Sequence, residues 1–451
     1  MASKSYDLIV IGTGTAAAAV AYRCREAGWT VAVIDSRPFG GTCVLRGCDP
    51  KKVLVAAAEA LHWGQRLTGR GVHPGDARID WRELMAFKRT FTEPVPENRE
   101  KGFAEAGIDA FHGRARFTGP TSVRVGGDDL EAKRVVIAAG AMPAKLAIPG
   151  EEHLVTSEDF LELDELPDRI VFVGGGYISM EFANVSVRAG AKVTVLHRGP
   201  RPLEGFDPDL ADRVAQAARA GGIDLRLETR VERIAQTAAG FAVEASSPAG
   251  SQTFDADLVV HGAGRVAEID DLDLATAGVE RGQRGVLVNE YLQSTSNSAV
   301  YAAGDAAETA GLPLTPVAAR EGRAVAANLL NGNNARPDYT ATPTVAFTLP
   351  PIAAVGLGEE EAREQGLRFK VNHQETSQWY SSRRVGEAYS ASKVLVEDGT
   401  GRILGAHLLG PSADELINVF ALAIRRGLTA EDLKDTIFAY PTHASDLGYM
   451  V

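Results

Sequence analysis

The residues best suited to chemistry lie in Gly40-Gly41-Thr42-Cys43-Val44-Leu45-Arg46-Gly47-Cys48-Asp49-Pro50-Lys51-Lys52, which holds two of the three cysteines, five positions apart. Metal sites favour a C-x2-C spacing with a second ligand pair, and the stretch has neither. A disulfide meets a geometric obstacle. The run Ala56-Ala57-Ala58-Glu59-Ala60 just downstream reads as helix. Five residues of helix rise about 7.5 Å, whereas a disulfide needs its Cα atoms roughly 4.4–6.8 Å apart. The bond closes only if the first turn is distorted, and Gly47 permits that. A strained, partly exposed disulfide is the reducible kind. The stretch therefore reads as a catalytic dithiol/disulfide, against the alternative of two unpaired buried cysteines. Cys24 lies in an alanine-rich helix and reads as packing.

The elements before this stretch form a nucleotide fold. An apolar strand, Tyr6 to Ile11, runs into Gly12-Thr13-Gly14-Thr15-Ala16-Ala17 and a helix to about Ala27. A second strand, Thr30 to Ile34, ends at Asp35, an acid 21 residues beyond Gly14. This is a dinucleotide fingerprint: the glycines let the backbone approach a pyrophosphate on the helix N-terminus, and the acid bonds ribose hydroxyls. Ala17 fills the third small-residue slot. The pattern recurs as the strand Arg169 to Val173, the turn Gly174-Gly175-Gly176, a helix from Tyr177, and the strand Lys192 to Leu196. Gly12 to Asp35 is 23 residues, and the same count from Gly174 reaches His197, followed by Arg198 and, nearby, Arg201. An acid there favours the free 2′-hydroxyl of NAD; basic side chains favour the 2′-phosphate of NADP. NADPH is expected, with NADH less favoured; the alternative is a solvated surface arginine.

Length and composition narrow the class. A chain of 451 residues holds two or three domains. Apolar and charged fractions of 45% and 24% are those of a soluble globular protein. A net charge of −12 argues against nucleic acid or an anionic membrane as partner. There is no run of 18 apolar residues to span a membrane. Leu8 to Ile11 is too short for a signal peptide. With only three cysteines, the chain is expected in a reducing cytoplasm.

The cysteine stretch closely resembles the motif GGTCxNxGCxPxK of the flavoprotein disulfide reductases, the family of glutathione, trypanothione and mercuric reductases and lipoamide dehydrogenase. Leu45 replaces the usual Asn, Arg46 sits inside the loop, and Asp49 replaces an apolar residue. Thr295 to Asp305 resembles the family's second FAD motif, and Val135 to Gly140 the segment that crosses between nucleotide domains. Phe347 to Leu357 resembles the start of its interface domain. The resemblance implies an α/β fold: two Rossmann-like nucleotide-binding domains plus a C-terminal α+β dimerisation domain. The expected boundaries are 1–147 with 264–335 for FAD, 148–263 for NAD(P), and 336–451 for the interface of a homodimer.

The resemblance also implies roles. Gly12, Gly14, Ala17, Asp35, Gly41, Thr42, Gly140, Gly304, Asp305 and Thr315 would hold FAD. Gly174, Gly176, Tyr177, His197, Arg198 and Arg201 would hold NADPH, with Tyr177 covering the nicotinamide pocket. Cys48 would be the flavin-side thiol and Cys43 the attacking one. Glu181 would pair with Lys51 or Lys52 beside the flavin. The sequence leaves that choice open.

The C-terminus departs from the family. The usual HPTxxE supplies a histidine to the partner's active site as acid/base, oriented by the glutamate. Here the stretch is Tyr440-Pro441-Thr442-His443-Ala444-Ser445-Asp446, with Tyr440 at the histidine position. A phenol has a reference pKa of about 10 against about 6.5 for imidazole, so Tyr440 is the poorer proton shuttle. His443, oriented by Asp446, is the alternative acid/base; its other reading is a surface loop residue. Mercuric reductases carry a tyrosine near this position but also a C-terminal cysteine pair, and no cysteine follows Cys48 here. The leading expectation is electron transfer from NADPH through FAD and Cys43–Cys48 to a small disulfide or related soft electrophile. The alternatives are a quinone or metal reductase or oxidase using flavin directly, and a non-enzymatic redox-sensing dimer.

Overall fold

The computed structural model describes residues 4–451. They form two compact units. One comprises residues up to Pro50, Phe87–Ala144 and Arg265–Tyr339; the other comprises Lys51–Ala86, Lys145–Gly264 and Thr340–Val451. Each contains a Rossmann-like α/β fold, and the second also carries a C-terminal α+β domain.

In the first unit, β1 (Lys4–Ile11), α1 (Thr15–Glu26) and β2 (Val31–Asp35) are the expected strand–turn–helix–strand. Two short helices, α2 (Gly41–Arg46) and the first turn of α3 (Cys48–Arg66), follow. β3 (Asp109–His112), β4 (Ala115–Phe117), β5 (Ser122–Val125) and β6 (Asp128–Ile137) complete the sheet, whose order is β3-β2-β1-β6-β5-β4. The strand Val300–Ala302 joins it parallel to the end of β6. Both faces of the parallel strands are covered, which explains their near-continuous apolar runs. Leu8, Val10, Val31 and Val33 pack with the alanines of α1, while Ile9, Ile11, Ile34 and Val135 line the opposite core. The helix Thr315–Asn331 packs closely against α1: a Cβ at Gly322 would lie 2.6 Å from the carbonyl oxygen of Ala16.

In the second unit, Asp224–Arg226, Lys192–Leu196, Arg169–Val173 and Leu258–His261 form a four-stranded parallel sheet in that order. The strands Arg230–Thr237, Gly240–Ser247 and Gly250–Ala256 make a separate antiparallel sheet. The C-terminal region is a five-stranded antiparallel sheet, with the helix Ala413–Arg426 burying Ile417, Phe420 and Ala423 on it.

One expectation needs adjustment. Pro337 to Pro351 reads as a linker, but Thr344–Ala346 inside it pairs with Ile352–Gly356 as an edge strand. It is short and lies at the edge, where proline neighbours are tolerated. The stretch from Trp81 to about Ala106 reads as mostly helical, and it is: two helices, Trp81–Thr92 and Val95–Ala106, meet at Pro94.

Candidate redox-active site

Gly47 ends α2 with a non-helical backbone (φ −146°, ψ −114°), and Cys48 begins the next helix. The helix is therefore interrupted between the two cysteines, which lets their sulfurs face one another. Cys43 is half-buried and Cys48 exposed. The hydroxyl of Thr315 stands 3.8 Å from Cys48 Sγ. Asp49 Oδ1 stands 3.9 Å from Cys43 Sγ. The hydrogen bond with Cys48, followed by burial, drives the Cys43 thiol far above its usual range, and a hydrogen bond with Thr315 opposes the shift.

The glycine turn and the cysteine loop are tied together at the backbone. Gly12 has φ +111°, and a Cβ there would meet the carbonyl oxygen of Ala138 at 2.3 Å. Gly41 has φ +76°, and a Cβ there would meet Gly14 Cα at 2.5 Å. Asp35 Oδ2 accepts from the Thr13 N–H at 3.0 Å and from its hydroxyl at 2.6 Å. The same hydroxyl accepts from the Gly40 N–H at 3.1 Å. Thr13, not singled out in the sequence, thus links the acid at the end of β2 to the loop that carries Cys43. Its place between two glycines was visible; its long-range bonds were not.

These residues fit FAD on two observations. Gly12 admits no side chain against Ala138, and Gly14 caps α1 with no side-chain cap, leaving the helix N-terminus open to a pyrophosphate. Asp305, half-buried beside Gly304, has its carboxyl raised by burial, and no hydrogen bond to it is formed among the described residues. Such a group suits a hydroxylated ligand. Gly304 is itself held by the buried Glu321, whose Oε2 accepts from its N–H at 2.7 Å. Tyr339 and Thr309 bond the other oxygen at 2.6 and 2.9 Å. Nothing in the local sequence marks Glu321, because its partners come from separate segments. Ala17 is fully buried in α1, Thr42 lies in α2, and Gly140 has φ +78° just beyond β6.

The second glycine turn repeats the first in detail. Gly174 has φ +104°, and a Cβ there would meet the Gly262 carbonyl oxygen at 2.4 Å. Gly176 caps the helix Tyr177–Arg188. The Gly175 N–H donates to His197 Nδ1 at 3.0 Å, across the same 22-residue separation as Thr13 and Asp35. His197 therefore holds the turn as Asp35 does, with Nδ1 unprotonated. Its Nε2 lies 3.3 Å from Glu204. Its first contact is thus with the turn itself. Arg201 pairs with Asp212 at 3.0 Å, while Arg198 is exposed.

On the helix Tyr177–Arg188, Glu181 is 1% exposed. Its Oε2 lies 2.5 Å from Lys51 Nζ, and its Oε1 accepts from the Phe347 N–H at 2.8 Å. Lys52 instead pairs with Glu59 at 3.0 Å and lies over the Phe347 ring. Tyr177 hydrogen-bonds Thr344 at 2.7 Å, and burial raises its phenol pKa. At the C-terminus, Tyr440 is 82% exposed. His443 is half-buried, and burial followed by the charge of Arg384 lowers its pKa. Asp446 accepts from Ser381 rather than orienting His443 by a hydrogen bond.

Residues 6–322 match the model of the pyridine nucleotide-disulphide oxidoreductases, and residues 342–451 match that family's dimerisation domain. The chain belongs to this family. It is 33% identical to a mercuric reductase of Lysinibacillus sphaericus, over 98% of this chain and 81% of that one. It is 31% identical to a glutathione reductase of Burkholderia cepacia, over 99% and 98%. Among solved structures it resembles a copper(II) complex of a cysteine-to-serine mutant of the HOCl-induced flavoprotein disulfide reductase RclA from Escherichia coli. That match has a TM-score of 0.88 and 29% identity over 99% of both chains. The protein is thus an FAD-dependent enzyme of NAD(P)H-driven disulfide chemistry, and its dimerisation domain supports a homodimer. No helix among the described residues is long and apolar enough to cross a membrane.

Proposed function

We propose that this protein is a cytoplasmic, NADPH-preferring reductase of small disulfides or related soft electrophiles, with Cys43 and Cys48 as its redox pair. The expected domain limits go with this reading: 1–147 and 264–335 for FAD, 148–263 for NADPH and 336–451 for the dimer interface. The observation that carries the proposal is the thiol pair on either side of Gly47, with Thr315 against Cys48. When bound, FAD would relay an electron pair between NADPH and the sulfurs.

The chain's own residues then act as follows. Cys48 opens α3, where the helix dipole favours a thiolate. Cys43 passes its proton to the hydrogen-bonded Cys48 sulfur as it attacks one sulfur of the acceptor disulfide, and the first product leaves as a thiolate and takes that proton up. Cys48 as thiolate then attacks Cys43 Sγ in the mixed disulfide. The second product leaves as a thiolate, and the Cys43–Cys48 bond forms. The dithiol is oxidised by one electron pair, and the acceptor is reduced by it. Lys51, neutralised by buried Glu181, gives α3 a fixed anchor one turn beyond Cys48.

Tyr440 is the exposed group assigned to the departing thiolate, as a hydrogen-bond donor. His443 is half-buried, and burial lowers its pKa. Acceptors that release a low-pKa thiol, such as aromatic disulfides, are therefore the better substrates, and glutathione disulfide a slow one. The test compares both classes in the parent, Tyr440→Phe and His443→Ala proteins. Fast glutathione disulfide reduction that is lost in His443→Ala would transfer the role to His443. A second reading, direct metal reduction, draws on the copper(II) complex of the RclA mutant. NADPH oxidation driven by copper(II) and undiminished in Cys43→Ser would favour it.

A further inference from the structure

Asp49 places a carboxylate 3.9 Å from Cys43 Sγ, in the first turn of α3 and next to Cys48. Asp49 is exposed, whereas Cys43 is half-buried. A reagent whose reacting atom sits on Cys43 Sγ is therefore within a few ångströms of this charge. Resting on the reading of Cys43 as the attacking thiol, we propose that Asp49 is a specificity-determining residue that selects neutral and cationic acceptors over anionic ones. The other charges of the stretch are Arg46, half-buried at the end of α2, and Lys51 and Lys52, which pair with Glu181 and Glu59.

The physical basis is Coulombic. Two like charges about 6 Å apart, screened by partly exposed surroundings, change a rate by about threefold in bulk-like water and by about a hundredfold at an effective dielectric near 20. The effect shrinks as salt is added, because the Debye length falls to about 10 Å at 0.1 M. After the Cys48 hydrogen bond and burial, the charge of the same carboxylate is a smaller effect that opposes ionisation of the Cys43 thiol. Removing its charge should bring out more thiolate at a given pH.

The experiment uses the NADPH-reduced holoenzyme and measures the alkylation rate of Cys43, mapped by peptide mass, with iodoacetate and with iodoacetamide. In each reaction the Cys43 thiolate displaces iodide from carbon, so the two reagents differ chiefly in charge. Parent and Asp49→Asn proteins are compared at low and at high salt, with Asp49→Ser as a second variant and bound FAD as the check on folding. Arg46 is common to all of them, so its charge cancels in the comparison.

The expected result is a ratio of iodoacetamide to iodoacetate rates that falls at least threefold in both variants at low salt, with the difference shrinking at high salt. The pH at which Cys43 reacts half-maximally should also move down. A ratio unchanged within threefold in both variants overturns the proposal. The same comparison in turnover sets cystamine, which is cationic, against 5,5′-dithiobis(2-nitrobenzoate), which is anionic. If neither is reduced in a Cys43-dependent way, the disulfide-reductase reading itself fails. If both depend on Cys43 but Asp49→Asn leaves their ratio unchanged, only the specificity proposal fails.

Discussion

Arg198 is the residue on which the choice of nicotinamide nucleotide should turn. His197 is already engaged: its Nδ1 accepts the Gly175 N–H at 3.0 Å and its Nε2 faces Glu204 at 3.3 Å. Arg201 is paired with Asp212. The exposed Arg198 remains to meet a 2′-phosphate. A hydrogen bond to a charged group contributes about 1.5–3 kcal/mol. At about 1.4 kcal/mol per factor of ten, Arg198→Ala should lower kcat/KM for NADPH by about 10- to 100-fold and leave NADH nearly unchanged. The complementary change is His197→Asp. Asp35 shows that a carboxylate at this register can take the turn N–H at 3.0 Å, so the fold should tolerate it. A carboxylate there repels the phosphate and bonds a free hydroxyl, shifting preference toward NADH. The assay is steady-state kcat/KM for both nucleotides at a fixed disulfide concentration. If Arg198→Ala lowers both nucleotides equally, or neither, the assignment of the phosphate to Arg198 is wrong.

Two further outcomes follow from the same geometry. Two-electron reduction of the FAD-loaded protein should produce a long-wavelength charge-transfer absorbance from the Cys48 thiolate; Cys48→Ser should abolish it while Cys43→Ser retains it, and the reverse pattern would invert the thiol order. His62, 3.2 Å from Arg188 and close to Arg66, is held neutral in the fold by burial, then by those charges, with its pKa lowered to about 3. The unfolded chain, with an imidazole pKa of about 6.5, binds the proton that the fold refuses, so stability is lost as pH falls from about 6.5 toward 3, by about 2 kcal/mol at pH 5. His62→Gln should flatten that acid limb in a melting-midpoint series; an unchanged limb would show that His62 is protonated in the fold.

The glycine turns were legible because backbone geometry admits so few residues there. Gly12 and Gly174 each face a carbonyl at under 2.5 Å from a would-be Cβ, and the constant spacing to Asp35 and His197 follows from one strand–helix–strand unit used twice. What His197 does was not legible. A count of residues finds the position, but only the fold shows the ring turned onto the Gly175 N–H. The choice between Lys51 and Lys52 was hidden for a related reason: it depends on the rotation of α3 toward Glu181 and Phe347, both distant in sequence. Asp446 beside His443 suggested an orienting pair, yet Ser381 from another element takes the carboxylate. Glu321 is the extreme case, a buried carboxylate whose three donors come from separate segments.

The central claim is that electrons leave through the Cys43–Cys48 pair. The most direct measurement is disulfide turnover in Cys43→Ser against the parent, with FAD content and the reduction of bound flavin by NADPH followed in the same samples. Flavin reduction should persist while disulfide turnover falls to the background rate. Undiminished turnover in Cys43→Ser would contradict it and assign the reduction to the flavin directly.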